Sequence, residues 1–466
     1  MFNLHFPLSI VTITSRDPSH VTPRIKSILR ARNRYMHAGK LELAAACTEQ
    51  VSQLIVKANS KKLASLSGKT APKTMWAEIN SSLNRGNSSH TGVSSLSLDE
   101  SVLNTHYASV SADPLYIAPS PKGTCAPHLE SFNEMSVFWL LEHVKDTAGG
   151  TDSLPAWFLR LSAPVIARPL AWLYNQSLAQ AIVPTQSKSA CLTPVPKIQQ
   201  PIVPSDFRPI SVTVILFRCL ERFTVKQYFY PIFSNQTHAS NFSDQFAFRP
   251  TGSTTAALAT ILQTITEFLE TEPYVCVYAL DFSKAFDTVR HSALLRRVHQ
   301  LGLPDFIYNW LCSFLKGRVH STKWKGSCSS CLNFNAGVVQ GSAIGPAAYV
   351  ICASELQPKY AANKMFKYAD DSYLLVPASN VHTIKEEIDS IIRWADSYNL
   401  KLNVSKCKEL VVRPPCRVDR VTLPAPGTFP GIQRVDSLVM LGIQLSDRLS
   451  VGGHISDLQQ TSQCSL

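Results

Sequence analysis

The 466-residue sequence has no run of about eighteen apolar residues, and so offers no helical membrane span. Its opening, MFNLHFPLSIVTITSRDP, has an apolar patch without the basic segment that precedes a secretory signal's core. The twelve cysteines are scattered singly apart from Cys328 and Cys331, which argues against a disulfide framework and fits an intracellular, reducing compartment. CSSC at 328–331 has zinc spacing but no second pair nearby, and reads as a hairpin turn. No internal repeat is visible. Acidic residues are also short, 33 against 45 Lys plus Arg, leaving a net charge of +12. That balance suits a polyanionic partner such as nucleic acid, though a merely basic soluble protein has the same numbers.

What is present changes character along the chain. Apolar and basic residues at helical spacing fill 24–57, with Gly39 as the break of a basic helical hairpin. From 83 the composition turns to Ser, Thr, Asn and Pro and reads as a linker ending by 125. Helical patterning is expected over 130–197, 209–233 and 253–270. YVCVYALD, 274–281, is a buried strand by pattern. Helices are predicted at 291–302, with Ser292 as cap and Gly302 as stop, and at 304–317. A strand-like pair within 323–339 leads to a buried helix after Gly345. Thr383 and Glu386 suggest a capping box for a helix whose stripe is Ile384, Ile388, Ile391, Ile392 and Ala395. After 413 the chain reads as Pro-rich and irregular, with SLVMLGIQL as a late strand candidate. The order of elements is an α+β plan.

KYADDSYLLVP, 367–377, sets two carboxylates against apolar residues on both flanks. Adjacent side chains of a straight strand point to opposite faces, so Asp370 and Asp371 can serve one site only if the backbone bends. Strands at 366–369 and 372–376 would supply that bend as a hairpin, and a neighbouring central strand would bring Asp281 to the same spot. Three converging carboxylates repel unless divalent cations neutralise them, and hard oxygen ligands suit magnesium. On its own the pair is better explained as an ordinary acidic turn. Phe286 by itself reads as core, Arg208 and Arg249 as solvated loop arginines, and Lys406 as a surface lysine.

Seven segments in order lift these residues out of anonymity: SDFRPIS (205–211), QFAFRPTGST (245–254), LDFSKAFDTV (280–289), GVVQGSAIGP (337–346), KYADD (367–371), LKLNVSKCK (400–408) and LGI (441–443). They resemble the finger and palm motifs of reverse transcriptases, most closely those of non-LTR, LINE-type retrotransposons. The segment 149–197 resembles the start of that domain, so the likeness covers roughly 130–445. Val339, Ser187 and Ala247 stand where the family usually has proline, tryptophan and glycine.

The resemblance implies a right-hand polymerase with fingers and palm, an antiparallel palm sheet backed by helices, an N-terminal helical linker and an incomplete thumb. It implies a basic helical linker region over 1–82, the Ser/Thr-rich linker over 83–125, and fingers with their N-terminal extension over 126–272. The palm would span 273–412, with an irregular tail and the start of a truncated thumb over 413–466. Asp281 and Asp370 would bind two Mg2+ ions, or Mn2+, with Asp371 beside them and the Phe282 carbonyl as a further metal ligand. Phe286 would be the steric gate against a ribose 2′-hydroxyl. Arg208 and Arg249 would hold the incoming triphosphate, Gln340 and Gly341 would lie against the nascent base pair, and Lys406 would protonate the leaving pyrophosphate. The implied activity is RNA-directed DNA synthesis from deoxynucleoside triphosphates, an RNA template and a DNA primer, with nuclear residence. The alternative is a catalytically impaired, nucleic-acid-binding remnant of a retrotransposon. An intron-encoded or telomerase-type polymerase is disfavoured by the finger and linker segments.

Overall fold

Helices Pro23–His37 and Leu41–Leu66 form the basic hairpin expected from the sequence, and Gly39 takes φ +70° at the turn between them. The first helix starts where the chemistry says it should: Thr22 accepts a hydrogen bond from the Ile25 amide, and Pro23 occupies the first turn. The computed structural model describes residues 22–66, 98–122, 132–235, 237, 239–414, 426–453 and 455. The chain divides into two compact units. One comprises Met1–Ser97, Glu130–Ala148 and Leu154–Asn175, and the other Leu98–Leu129, Gly149–Ser153 and Gln176–Leu466. The opening MFNLHFPLSIVTITSRDP and most of the Ser/Thr-rich stretch before 98 lie outside the described residues.

In the first unit the buried Arg32 donates to the Leu161 carbonyl at 2.8 Å, tying the hairpin to the long helix Ala156–Ala179. In the second unit the strands are β1 (Ser189–Pro196), β2 (Phe207–Val212), β3 (Val275–Leu280), β4 (Phe282–Ser283), β5 (Arg318–Trp324), β6 (Ser327–Cys328) and β7 (Leu332–Phe334). They continue as β8 (Lys364–Tyr368), β9 (Asp371–Pro377), β10 (Lys401–Leu402), β11 (Lys408–Val412), β12 (Gln433–Val435), β13 (Ser437–Met440) and β14 (Ile443–Ser446). Two sheets organise them. One runs β2-β1-β5-β6 with β7 also on β5; the other runs β12-β11-β3-β9-β8.

The second sheet is antiparallel except for the β11–β12 pair. Its central strand β3 is buried almost throughout, as its apolar run requires. Helix Thr254–Thr271, capped by Ser253, lays Ile261, Ile265 and Leu269 on one face of this sheet, among Val275, Val277, Leu375 and Leu410. Burying such side chains contributes about 1.5–3 kcal/mol each before entropy is counted. Helix Ile344–Ala353 is buried along its whole length. Among the described residues no helix is long and apolar enough to cross a membrane.

Several expectations change. Ser189–Pro196 and Phe207–Val212 are strands, not helix; Pro194 and Pro209 face each other across that pair, and the proline punctuation hid the ladder. The stretch expected to be linker contains a helix, Glu100–Val110, whose Leu103 and Tyr107 pack with Leu192 and Phe207. Its buried Asn104 hydrogen-bonds His320, Thr322 and the Ser330 carbonyl. Helix His291–Gln300 begins one residue before Ser292, and no side chain caps it. Thr383 makes no cap either: it bonds the Asn380 carbonyl and Asn363, while Glu386 reaches Tyr360. The region after 413 is more regular than its prolines suggested, since β12 extends the sheet and the β13–β14 hairpin adds Leu438, Met440 and Leu445 to the core.

Candidate active site

Register decides whether the three aspartates meet. β3 pairs with β9 up to Leu280 opposite Ser372; Asp281 follows the one and Asp371 precedes the other, and both line one cleft. On the other side β8 and β9 close with Tyr368 opposite Asp371, leaving Ala369 and Asp370 as a two-residue turn. Asp371 therefore starts β9 rather than lying in the turn. Ala369 sits at φ +58°, a conformation a two-residue hairpin needs and a non-glycine residue takes at a cost of order 1 kcal/mol. The bend leaves Asp371 beside the end of β3, where it lines a cleft with Asp281. The Asp371 carboxyl is raised above the usual range, first by burial and then by the negative charges of Asp370 and Asp281. Asp371 thus stands within electrostatic reach of both other acids.

The turn is braced by residues whose role the sequence hid. Gln245, buried in the segment before Arg249, takes hydrogen bonds through its side-chain oxygen from the amides of Ala247 and Ala369. Phe246 donates to the Lys367 carbonyl and Lys367 to the Asp244 carbonyl, so this segment runs along β8 like a further strand. Lys367 itself is fully buried: its ammonium pairs with Asp244 at 2.8 Å and donates to the carbonyls of Ala353 and Leu356. A lysine three residues from an acidic turn reads as a surface charge, and only tertiary packing reveals it as an anchor.

The floor of the site is aromatic. Phe286 stacks on Tyr349 with ring centroids 4.7 Å apart and also meets Phe248 edge-on. The buried Tyr349 hydroxyl is pushed well above the phenol range by burial first and then by Asp370, with Asp371 adding to it, so this stack lies beneath the carboxylates. Phe282 begins β4, pairs with Leu402 and packs against Trp394. The Asp281 carbonyl accepts from the Asn403 amide, which fixes the loop carrying Lys406. Lys406 and Lys408 line a cleft together with Asp281 and Asp371.

Positive charge collects nearby. The Lys197 ammonium is held below the lysine range by burial and then by Lys284, Arg208 and Lys406, with Asp287 opposing them. Neither Lys197 nor Lys284 stood out in the sequence. Arg249 does not join them. Its guanidinium donates to the carbonyls of Phe242, Gln245 and Phe233, so it staples the segment that braces the hairpin instead of facing the cleft.

Gln340 and Gly341 form a turn against β2. Ser211 donates to the Gln340 carbonyl, and Gly341 has φ +105° with room for no Cβ, which would fall 2.4 Å from the Ser211 oxygen. Fully buried Glu221 accepts from the Ala343 amide at 2.5 Å, at the start of the buried helix. Burial lifts the Glu221 carboxyl to about 7, against the pull of Arg318. Val339, Ser187 and Ala247, the positions that depart from the family's habit, are all buried.

Among the described residues no three His, Cys, Asp or Glu side chains close into a ready-made cation cage. The donor set fits magnesium-type ligation all the same, because such an ion takes one or two carboxylates and completes its shell with water and substrate phosphates. The remaining cluster, Cys328 and Cys331, is exposed on the β5–β6 hairpin and its flank.

Residues 195–445, more than half of the chain, match the family described as reverse transcriptase (RNA-dependent DNA polymerase). The chain is similar, at 26% identity over 332 residues, to the RNA-directed DNA polymerase from mobile element jockey of Drosophila melanogaster, covering 67% of this chain and 35% of that protein. It is 28% identical over 305 residues to the probable RNA-directed DNA polymerase from transposon BS of the same species, covering 61% of this chain and 32% of the other. The chain thus spans about a third of the length of these relatives. Among solved structures, apo telomerase from Candida tropicalis truncated from its C-terminal domain aligns at 14% identity and TM-score 0.41, over 62% of this chain and 60% of that one.

Proposed function

Because the chain belongs to the reverse transcriptase family, we propose that the end of its β3–β9–β8 sheet is the catalytic centre of an RNA-directed DNA polymerase. The observation that carries the reading is the register that sets Asp281 beside Asp371 and the Asp370 turn, with Lys197, Arg208, Lys284 and Lys406 close by. A field of three acids next to four cations suits a reaction in which anionic phosphates and divalent cations must be held together.

The reaction joins a DNA primer to a deoxynucleotide on an RNA template. The primer 3′-oxygen forms a bond to the α-phosphorus of the triphosphate, the bond from that phosphorus to the bridging oxygen breaks, pyrophosphate leaves and the hydroxyl proton is released. Divalent cations, Mg2+ by the hardness of the donors, would be held by Asp281, Asp370 and Asp371 with the Phe282 carbonyl as a further ligand, and would supply charge neutralisation. The chain's own groups do the rest. Lys197, Arg208 and Lys284 attract the triphosphate; Lys406, at the cleft mouth, is placed to give a proton to the departing pyrophosphate. Phe286, fixed by its stack on Tyr349, presents a rigid face that a 2′-hydroxyl would strike. Gly341 lets backbone approach the nascent pair. In this reading β1 and β2 belong to the fingers, and β11, β3, β9 and β8 form the palm sheet. A DNA primer favours residence in the nucleus.

Primer extension on an RNA template by the purified chain tests the reading. Template-directed product that requires a divalent cation and disappears in Asp370→Asn is expected. Salt-sensitive RNA binding with no extension at any enzyme concentration would overturn it in favour of a non-catalytic binding protein.

A further inference from the structure

Asp287 lies four residues beyond the end of β4, in the short helix Ala285–Thr288, and has no place in the chemistry above. The Gln340 side-chain amide donates to its carboxylate at 2.7 Å. The two side chains share a cavity with Tyr107, Lys197, Lys284 and Ser211. The Gln340 backbone is fixed independently by Ser211, against which the neighbouring Gly341 packs too closely for a Cβ. What remains free in Gln340 is the rotation of its amide, and an amide has two different ends: a nitrogen that only donates and an oxygen that only accepts. An ionised carboxylate can only accept, so it selects the nitrogen; a protonated one can donate and tolerates either end.

We propose that Asp287 is a positioning residue that locks the Gln340 amide with its nitrogen inward, so that Gln340 presents its oxygen, a hydrogen-bond acceptor, to the incoming nucleotide. The proposal rests on the reading of Gln340 as a nucleotide-side residue. Its first part, the lock, stands on geometry alone. The lock depends on charge. Burial raises the Asp287 carboxyl to about 6, and the charged groups facing it, Lys284 and Lys197, only partly restore it. Tyr107 approaches from helix Glu100–Val110 with its hydroxyl buried and unpartnered, and His106 of the same helix stands 3.4 Å from the Lys284 ammonium. Below about pH 6 the carboxyl gains its proton, the selection is lost and the Gln340 amide becomes free to turn.

Two readouts separate the lock from the polymerase reading. In protein labelled with 15N-glutamine, the side-chain NH2 signal assigned to Gln340 by its loss in Gln340→Ala should shift as pH falls through about 6, and should not titrate there in Asp287→Asn. A Gln340 signal that titrates identically in Asp287→Asn overturns the proposal whether or not the chain makes DNA. In primer extension above pH 7.5, Asp287→Asn should raise KM for deoxynucleotides roughly fivefold, the worth of one hydrogen bond, with kcat changed less than twofold. The KM effects of Asp287→Asn and Gln340→Ala should be non-additive. Additive effects, or loss confined to kcat, overturn the proposal. Absence of extension by the unaltered chain with the NMR titration intact rejects the polymerase reading and sustains the lock.

Discussion

The carboxylate hairpin and the Gln340–Gly341 turn lie in one compact unit but are built in opposite ways. The hairpin is assembled by short-range pairing: two consecutive strands and a two-residue turn set Asp370 and Asp371, and one further antiparallel neighbour adds Asp281. The Gln340–Gly341 turn has no ladder of its own beyond an isolated bridge and is pinned from three distant segments, by Ser211, Asp287 and Glu221. The lesson is that a cluster of charge can be placed by local strand geometry, whereas a tight backbone approach has to be clamped from several directions at once.

On the proposed function, Asp370→Asn or Asp281→Asn should lower single-nucleotide incorporation on the order of 1,000-fold, while leaving the urea midpoint nearly unchanged because both acids lie outside the buried core. Lys367→Ala should do the reverse. It strands Asp244 without its partner in a buried site and should cost about 3–5 kcal/mol in chemical denaturation, with Lys367→Ala/Asp244→Asn recovering part of the loss. Gly341→Ala tests the clamp: a Cβ against the Ser211 oxygen at positive φ should cost about 2–4 kcal/mol and raise KM for the nucleotide.

Arg208 and Arg249 differ in the same way. Arg249→Ala removes a staple to three carbonyls and should destabilise by about 2 kcal/mol. Exposed Arg208→Ala should change stability by less than about 0.5 kcal/mol yet weaken nucleotide binding. The smallest effect is in pH. The Glu221 carboxyl rises to about 7 on folding from 4.5, so the folded state takes up this proton first. Its contribution is therefore unfavourable above pH 7 and is relieved as pH falls from 7 toward 4.5. The difference in thermal midpoint between the native chain and Glu221→Gln, measured at pH 8 and pH 5.5, should move in that direction.

Sequence patterning was legible where local rules act alone. The apolar run of β3, the acidic hairpin, the buried helix after Gly345 and the Gly39 break all follow from residue spacing, because burial on both faces, turn geometry and backbone freedom leave marks within ten residues. It misled where a local signal competed with distant partners. Prolines hid β1 and β2 because their pairing with each other and with β5 supplies the order that propensity denied. Ser and Thr around helix Glu100–Val110 suggested a linker because its apolar face is completed by Leu192 and Phe207, some ninety residues away.

By itself the sequence determined the chemical inventory: three aspartates, a glycine beside a glutamine, an excess of basic side chains, and strands and helices in an α+β order. It took the folded chain to show that Arg249 braces while Lys197 and Lys284 line a cavity with Asp287, that Lys367 is buried, and that Asp287 accepts a hydrogen bond from Gln340. A charge's role depends on how much water and which partners surround it, and those are properties of the packed interior that no stretch of sequence contains.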